Sequence, residues 1–301
     1  MNNYIISDEE LKYRMNLSLQ DKIDMSCDVI EKWHNHWDGL IYVAFSGGRD
    51  STVLLDIVRN KALIPDAKDI PAVFNDTGLE FPEIKEFVYT IPNIVITRPK
   101  LTYRQVIEKY GFAVISKEQS RYIYEARTTK SEKLLNLRLN GDDNGGWKIS
   151  KKWLPLYRSN IKISHMCCEI LKKNPAHQYD RKSHRKAIIG SRVEESQFRK
   201  HTYRRYGCNM YDTRHPLSMP LSFWTKENIL DYIRIYNIPY SSIYDMGYER
   251  TGCVWCLFGI HLEKGENKFQ RLKKTHPKIW NYCVNNMGIG DVLDFLEVPY
   301  E

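Results

Sequence analysis

The stretch at residues 41–55 constrains the fold of this chain more than any other part of its sequence. An unbroken apolar run, Ile-Tyr-Val-Ala-Phe, gives way to Ser-Gly-Gly-Arg-Asp-Ser and then to Thr-Val-Leu-Leu. An apolar run that ends in a glycine turn is typical of a buried parallel strand, and the apolar residues after the turn are typical of a helix. The sequence therefore predicts a strand, a tight loop and a helix in direct succession.

The loop at residues 46–51 has the composition of an anion site. Gly47 and Gly48 let the backbone approach a phosphate closely and adopt dihedral angles that other residues avoid. The helix that follows has unpaired N–H groups in its first turn and directs the positive end of its dipole at the same place. The two serines of the loop can add hydroxyl donors, and Asp50 can hold a cation or cap the helix. The alternative is an ordinary glycine turn.

The full six-residue pattern resembles the SGGxDS pyrophosphate loop (PP-loop) of the ATP pyrophosphatases and of the phosphoadenosine phosphosulfate (PAPS) reductases. It differs from the Walker loop, which requires GxxxxGK[ST]. The resemblance implies a doubly wound, Rossmann-like α/β fold of the adenine nucleotide alpha hydrolase type. It also implies an adenine nucleotide as ligand, either ATP with Mg²⁺ or PAPS or adenylylsulfate. The residues that would bind it are Ser46, Gly47, Gly48, Arg49, Asp50 and Ser51.

A second strand pattern, at residues 70–75, runs into Asp76-Thr77-Gly78. Pro82 follows near the predicted start of a helix, a position that needs no N–H donor. The segment is similar to the DTG-[LH]-x-FPE segment of the same family, which lies near the nucleotide. By this resemblance Asp76, Thr77 and Gly78 join the nucleotide site, at the sheet edge where open α/β sheets bind ligands. Without it, the tripeptide is a simple turn.

Strand and helix patterns alternate along much of the chain, which predicts a parallel, doubly wound sheet. We expect an N-terminal helical segment at residues 1–40 and a PP-loop nucleotide-binding α/β domain at residues 41–220. A helical C-terminal region carrying the CxxC motif follows at residues 221–301. Residues 112–160 break the alternation and are interpreted as an insertion, either a substrate lid or a solvated helical face with basic and aromatic residues.

Two pairs of cysteines form a second chemical feature: Cys167 with Cys168, and Cys253 with Cys256 in a CxxC motif. Four thiolates complete a tetrahedral zinc site or hold a [4Fe–4S] cluster. Adjacent cysteines are awkward ligands for one small ion but can reach separate corners of a cluster. This favours the cluster over zinc, and zinc over four unrelated buried thiols. The arrangement resembles the [4Fe–4S] site of assimilatory adenylylsulfate reductases and of the PAPS-reductase-like proteins of DNA phosphorothioation.

Between the cysteine pairs, an apolar run ending at Ile189 predicts a strand that leads through a Gly-Ser turn to Arg192. This segment is similar to the family's G-x-R-x-x-E-S-x-x-R segment, whose arginine helps hold the anionic end of the substrate. By that resemblance Arg192 contacts the phosphate or sulfur-bearing group, for which a guanidinium fork is suited. Arg199 is the weaker candidate, because an arginine on an exposed helix is usually only solvated. Further along, Thr225 is the predicted N-cap of a helix.

Composition restricts the partners and the compartment. A net charge of +8 favours an anionic partner, either a nucleotide or a nucleic acid. The seven cysteines are odd in number and unevenly spaced, which argues against a secreted disulfide framework. No run approaches eighteen apolar residues, and the first residues show no basic region ahead of an apolar one. We therefore expect a cytoplasmic protein without a membrane partner.

The end of the chain departs from the family. Sulfonucleotide reductases carry a catalytic cysteine near the carboxyl terminus in an ECG-type segment, and no cysteine follows Cys283 here. Without an exposed thiolate, a reductase mechanism lacks its nucleophile.

We therefore expect an ATP-cleaving enzyme, similar to the phosphorothioation and thiolation branch, that releases AMP and pyrophosphate while it adenylates an acceptor for sulfur incorporation. Ser46, Asp50 and Arg192 are the expected catalytic residues. DNA, tRNA and a small metabolite are the candidate acceptors, and a sulfur-donor protein such as a cysteine desulfurase is a candidate partner. Two alternatives stay open. One is a PAPS or adenylylsulfate reductase in which Cys283 or another protein supplies the thiol; the other is a non-catalytic nucleotide or nucleic-acid-binding module.

Overall fold

A computed structural model describes residues 4–301 of the chain. The chain divides into two compact units, each built from three segments. The first unit contains the chain up to Asp76, Glu80–Arg98 and Pro175–Thr251. The second contains Thr77–Leu79, Pro99–Asn174 and Gly252–Glu301. The three-part division expected near residues 40 and 220 stays a prediction.

The secondary structure follows the alternation expected from the sequence. The strands among the described residues are β1 (Ile41–Ala44), β2 (Ala72–Asn75), β3 (Ile94–Thr97), β4 (Val114–Ile115), β5 (Lys186–Ile189), β6 (Asn209–Met210), β7 (Leu217–Ser218) and β8 (Leu257–Phe258). The α-helices among them are α1 (Asp8–Met15), α2 (Leu19–His36), α3 (Arg49–Asn60), α4 (Pro82–Tyr89), α5 (Tyr103–Tyr110), α6 (Lys117–Thr128), α7 (Glu132–Asn140), α8 (Leu154–Arg158), α9 (Met166–Cys168), α10 (Asn174–Ser183), α11 (Gln197–Tyr206), α12 (Lys226–Ile235), α13 (Lys268–Thr275), α14 (Pro277–Asn281) and α15 (Ile289–Phe295). Two π-helical turns, Glu169–Lys173 and Tyr282–Asn286, continue α9 and α14.

The first unit is organised around a six-stranded sheet in the order β3-β2-β1-β5-β7-β6. All neighbouring strands pair in parallel except β6 and β7, which are antiparallel. One face of the sheet, at Tyr42, Val73 and Ala187, packs against Tyr179 of α10, while α3 contacts β1 and is itself covered by α2 and α12. Helices therefore flank the sheet, and the doubly wound α/β architecture is confirmed, with one antiparallel edge strand.

The order of the strands also indicates where a ligand would bind. From β1 the chain winds outward through β2 to β3, and it then returns to the opposite edge of β1 as β5. The direction of winding thus reverses between β1 and β5. Open α/β sheets bind ligands outside the carboxyl ends of their strands at such a reversal, which here is the place where residues 46–51 and Arg192 follow their strands.

The second unit is mainly helical. Its two-stranded parallel sheet pairs Val114 with Leu257 and Ile115 with Phe258, a pairing that the sequence did not predict. Next to it, Gly111 has a φ of +100°, and a Cβ atom there would lie 2.3 Å from the backbone of Lys162. Glycine is needed at this position because two backbone segments touch there. None of the helices among residues 4–301 is long and apolar enough to cross a lipid bilayer.

Candidate functional site

The glycines of the PP-loop are required by its geometry. Gly47 has a φ of +73°, and a Cβ atom there would lie 2.9 Å from Ile84 Cγ2 and 3.0 Å from Val88 Cγ2. Gly48 is the N-cap of α3 and supplies no side-chain cap. The first N–H groups of an α-helix have no partner within the helix, so this end of α3 is suited to an anion.

The two serines of the loop have different surroundings. Ser51 is buried; its Oγ donates to the carbonyl of Gly48 at 2.8 Å and accepts from the N–H of Ser46 at 3.2 Å. Ser46 is exposed, and its Oγ lies 3.1 Å from Ser51 Oγ. Ser51 therefore holds the shape of the loop, whereas Ser46 is exposed as a residue and its Oγ also accepts from the N–H of Gly48 at 3.3 Å.

Asp50 and Arg192 are brought together across the reversal between β1 and β5. The Nε of Arg192 donates to Asp50 Oδ1 at 2.5 Å, and Nη1 donates to Glu194 Oε2 at 2.5 Å. The approach of the two segments depends on Gly190, where a Cβ atom would lie 2.9 Å from the carbonyl oxygen of Asp50. Asp50 and Arg192 are therefore in contact, and their assignment to one nucleotide site stays a prediction.

Further arginines lie near this pair. Arg199 forms an ion pair with Glu195. Burial lowers the pKa of Arg199, and the positive charges of Arg250 and Arg192 lower it further, while Asp50 opposes them. Arg199 thus lies within electrostatic range of both Arg250 and Arg192, and an anion bound beside such a group of guanidiniums would offset the repulsion that Arg199 experiences. Arg199, the weaker candidate from sequence, therefore belongs to this cationic group, and sequence reasoning did not single out Arg250.

Tyr244 contacts the PP-loop at Arg49, and sequence reasoning did not identify this contact either. The N–H of Arg49, at the start of α3, donates to Tyr244 Oη at 3.0 Å. The Arg49 guanidinium lies 3.9 Å from the centroid of the Tyr244 ring. These residues are 195 positions apart in the chain, and the segment around Tyr244 reads in the sequence only as a connecting loop, without a local signal.

The Asp-Thr-Gly segment divides between the two units. Asp76, at the end of β2, forms ion pairs with Lys85 at 2.7 Å and with Arg98 at 3.3 Å. Thr77 and Gly78 belong to the second unit, where Thr77 Oγ1 accepts from the N–H of Leu79 at 3.2 Å. The assignment of these three residues to the nucleotide site stays a prediction.

The four predicted cluster cysteines all belong to the second unit. Cys167 and Cys168 lie in α9, and the N–H of Cys256 donates to the carbonyl of Cys253 at 3.1 Å in a tight turn. Burial raises the pKa of Cys167, and the neighbouring thiols of Cys168, Cys253 and Cys256 raise it further. None of the four forms a disulfide. The structure therefore gathers the four thiols in one neighbourhood.

Other groups complete this neighbourhood. Lys268 Nζ donates to the carbonyl of Cys256, and burial lowers the pKa of Lys268 while the thiols of Cys256 and Cys253 oppose that shift. Among residues 4–301, no three His, Cys, Asp or Glu side chains are arranged to hold a single metal ion. Cys283 is fully buried, its Sγ donates to the carbonyl of Trp280 at 3.2 Å, and burial raises its pKa to about 12. No cysteine in the described part of the chain is exposed.

Comparison with known families gives a match over most of the chain. The model of the phosphoadenosine phosphosulfate reductase domain matches residues 40–140 and 108–257. Together these ranges span more than half of the sequence and include the PP-loop, Arg192 and all four clustered cysteines.

Individual relatives share less than a third of their aligned residues with this chain. An uncharacterized protein of Methanocaldococcus jannaschii is 29% identical over 81% of this chain and 41% of its own length. Adenosine 5'-phosphosulfate reductase 2 of Bacillus subtilis is 26% identical over 79% of this chain and 81% of its own. The chain spans 41% and 51% of the length of two M. jannaschii relatives, about half of each. The crystal structure of PAPS reductase from Candida auris, in a phosphate complex, matches with a TM-score of 0.43 and 18% identity, over 82% of this chain and 96% of that one.

Proposed function

Because the chain belongs to the phosphoadenosine phosphosulfate reductase family, we propose that it is an enzyme that binds ATP at the PP-loop and adenylates an acceptor for sulfur incorporation. The observation that carries the proposal is the contact of Asp50 with Arg192 at the amino end of α3, beside Arg199 and Arg250. Helix dipole, N–H donors and guanidinium groups all favour the phosphates of a nucleotide there.

The reaction is a displacement at the α-phosphorus. An acceptor oxygen attacks this atom, the bond to the oxygen that bridges to the β-phosphate breaks, and pyrophosphate leaves. The acceptor is then joined to AMP, and a sulfur nucleophile replaces the activated oxygen and releases AMP. Donors that face the charge developing on the phosphate oxygens contribute most to such a reaction, and we propose that role for Arg192 and Ser46.

Mg²⁺ fits this site as a partner of the nucleotide. The ion is usually held by one or two carboxylates together with substrate phosphates and water. Asp50 Oδ1 is taken by Arg192, so Oδ2 is the oxygen that would bind the ion. When bound, Mg²⁺ neutralises charge on the leaving pyrophosphate.

The cysteine set of the second unit fits a [4Fe–4S] cluster better than a single ion. None of the four thiols forms a disulfide, and they share one neighbourhood, yet no three of them are arranged to hold a single metal ion in the described residues. A cluster offers each thiolate a separate iron atom, so its ligands need not converge. We propose that Cys167, Cys168, Cys253 and Cys256 hold it, and its chemistry when bound is electron transfer or the bracing of the fold.

A sulfonucleotide reductase is the second candidate, and the relatives named adenosine 5'-phosphosulfate reductase favour it. Such an enzyme would use a thiolate to attack the sulfur of the substrate. Cys283 is fully buried, which does not favour it as that nucleophile. The thiol would then have to come from another protein.

The test uses protein purified without oxygen, incubated with ATP and Mg²⁺ and assayed for AMP and pyrophosphate. We expect pyrophosphate release by the unaltered protein, and a loss of about 100-fold in Ser46→Ala and Asp50→Asn. The matched control is Asp66→Asn, an exposed aspartate of the same unit, which should not change the rate.

Two other results would redirect the assignment. Sulfite release from PAPS or adenylylsulfate with a thiol donor, without pyrophosphate from ATP, identifies a reductase. ATP binding without either product, in the presence of DNA, tRNA and a sulfur donor, indicates a non-catalytic binding module.

A further inference from the structure

A pair of hydroxyl groups lies directly against the amino end of α3. Tyr244 Oη accepts from the N–H of Arg49 at 3.0 Å and lies 3.2 Å from Thr251 Oγ1. A Cβ atom on Gly48 would meet Thr251 Oγ1 at 3.0 Å, Ser46 Oγ at 3.2 Å and Tyr244 Oη at 3.3 Å. Three hydroxyl oxygens therefore surround the N-cap of the helix that is proposed to bind phosphate.

The hydrogens of this pair can be counted. Each hydroxyl carries one hydrogen and can accept two. Tyr244 Oη already accepts from Arg49, and the contact between Tyr244 and Thr251 uses one of their two hydrogens. The second hydrogen is left for another acceptor beside the N–H groups of α3, and a phosphate oxygen bound at this helix end would be such an acceptor.

The segment that carries the pair is held in place by its neighbours. Ile243 is fully buried, and the buried ring of Tyr248 lies 4.7 Å from the ring of Phe81. Tyr244 itself is buried, with its ring against the Arg49 guanidinium. The two hydroxyls are thus fixed in position before a ligand binds, as donors to a phosphate need to be.

The same segment also carries positive charge. Arg250 directly precedes Thr251, is exposed, and lies close enough to Arg199 to lower its pKa. Residues 244–251 therefore bring two hydroxyls to the amino end of α3 and a guanidinium within electrostatic range of Arg199.

We propose that Tyr244 and Thr251 bind the nucleotide together with the PP-loop, by donating a hydrogen bond to an oxygen of its pyrophosphate portion. The inference rests on the proposed nucleotide-binding function. It makes the segment at residues 244–251 a third wall of the phosphate site, beside the PP-loop and the segment at Arg192, and it predicts recognition of the phosphates and not of the nucleoside.

The experiment measures the binding of three probes by calorimetry: ATP, inorganic pyrophosphate and adenosine. Tyr244→Phe keeps the ring against Arg49 and removes only the hydroxyl. We expect its affinity for ATP and for pyrophosphate to fall by about 10-fold or more, the usual effect of losing a hydrogen bond to a charged group. Its affinity for adenosine should not change. Thr251→Val should behave in the same way, and Thr251→Ser should retain binding.

The matched control is Tyr240→Phe. Tyr240 also lies near the Arg49 guanidinium, at 5.2 Å, but its hydroxyl donates to Asp245 at 3.2 Å. Equal affinity of Tyr244→Phe and the unaltered protein for pyrophosphate would overturn the inference, as would tighter binding, which would mean that the hydroxyl competes with the ligand. If the unaltered protein binds neither ATP nor pyrophosphate, the proposed function fails together with the inference.

Discussion

At the scale of single residues, backbone geometry makes the PP-loop intolerant of change. In Gly47→Ala, the new methyl group would meet Ile84 and Val88 at 3.0 Å or less, in a conformation with a φ of +73°. We expect the free energy of unfolding to fall by about 2 kcal/mol or more, and nucleotide binding to be lost. Denaturant unfolding and ATP titration measure the two effects.

The variant Gly265→Ala separates the cost of backbone strain from the cost of a steric clash in the unfolding experiment. Gly265 also has a positive φ, +71°, but a Cβ atom there would have nothing within 4 Å. Its cost should be about 1 kcal/mol, the backbone strain alone. Equal stability of the two variants would show that contact with α4 does not add to the cost of Gly47→Ala.

The buried thiol of Cys283 provides a test at the same scale. Burial raises its pKa from 9.0 to about 12, so the native thiol should not react with iodoacetamide at pH 8, whereas the unfolded chain should. The raised pKa of Cys283 also contributes to the free energy of unfolding. This contribution is fully present below about pH 9 and is lost as the pH rises toward 12. Mass spectrometry of the peptide that contains Cys283 measures whether the thiol has been alkylated. Alkylation of native Cys283 at pH 8 would instead favour the reductase alternative.

At the scale of elements, the parts predicted from the sequence are those whose signal is local. The strand, loop and helix at residues 41–55, the helix start at Pro82 and the N-cap at Thr225 all agree with the structure. In each case the determining residues are neighbours in the chain: apolar runs, glycines, a proline at N1 and a hydroxyl beside a helix start.

Elements that depend on distant contacts could not be predicted. The pairing of β4 with β8 involves two residues from each strand, too few to leave a pattern of period two. The contact of Tyr244 with Arg49 has no local signal, because it depends on how the segment around Ile243 packs. For the candidate site, the sequence therefore pointed to the PP-loop and Arg192, whose roles stay predictions, but it did not point to Tyr244.

The N-cap of α12 gives a prediction at this scale. Thr225 Oγ1 accepts from the N–H of Asn228 at 3.3 Å, and the Thr225 N–H donates to Asn228 Oδ1 at 3.0 Å. Thr225→Ala should lower the free energy of unfolding by about 1 kcal/mol, because an N–H of the first turn loses its acceptor. Urea unfolding measures this change. Thr225→Ser should restore most of the stability, and a serine variant as unstable as the alanine variant would argue against the cap.

At the scale of the whole molecule, the four clustered thiols come from segments of the second unit that are far apart in sequence. A metal centre bound to all four would tie these segments together, and binding energy of that kind adds to folding stability. We expect protein purified without oxygen to contain iron and sulfide. In Cys256→Ser, we expect both to be lost and the unfolding temperature to fall.

Cys27 provides the control for that experiment, because it belongs to the first unit. Cys27→Ser should keep its iron and sulfide. Zinc without sulfide in the unaltered protein would contradict the cluster and identify a single-ion site. Metal analysis and the visible absorption spectrum distinguish the two results.

The order of the strands also has a consequence for synthesis on the ribosome. One edge of β1 pairs with β2. The other edge pairs with β5, which is synthesised only after residues 99–174. At translation rates of about 5–20 residues per second, synthesis from the end of β1 to the start of β5 lasts about 7–28 s. Throughout it, the nascent chain presents an apolar strand with an unpaired edge, which is a template for pairing with other chains. The yield of folded protein should therefore depend on chaperones that act during translation.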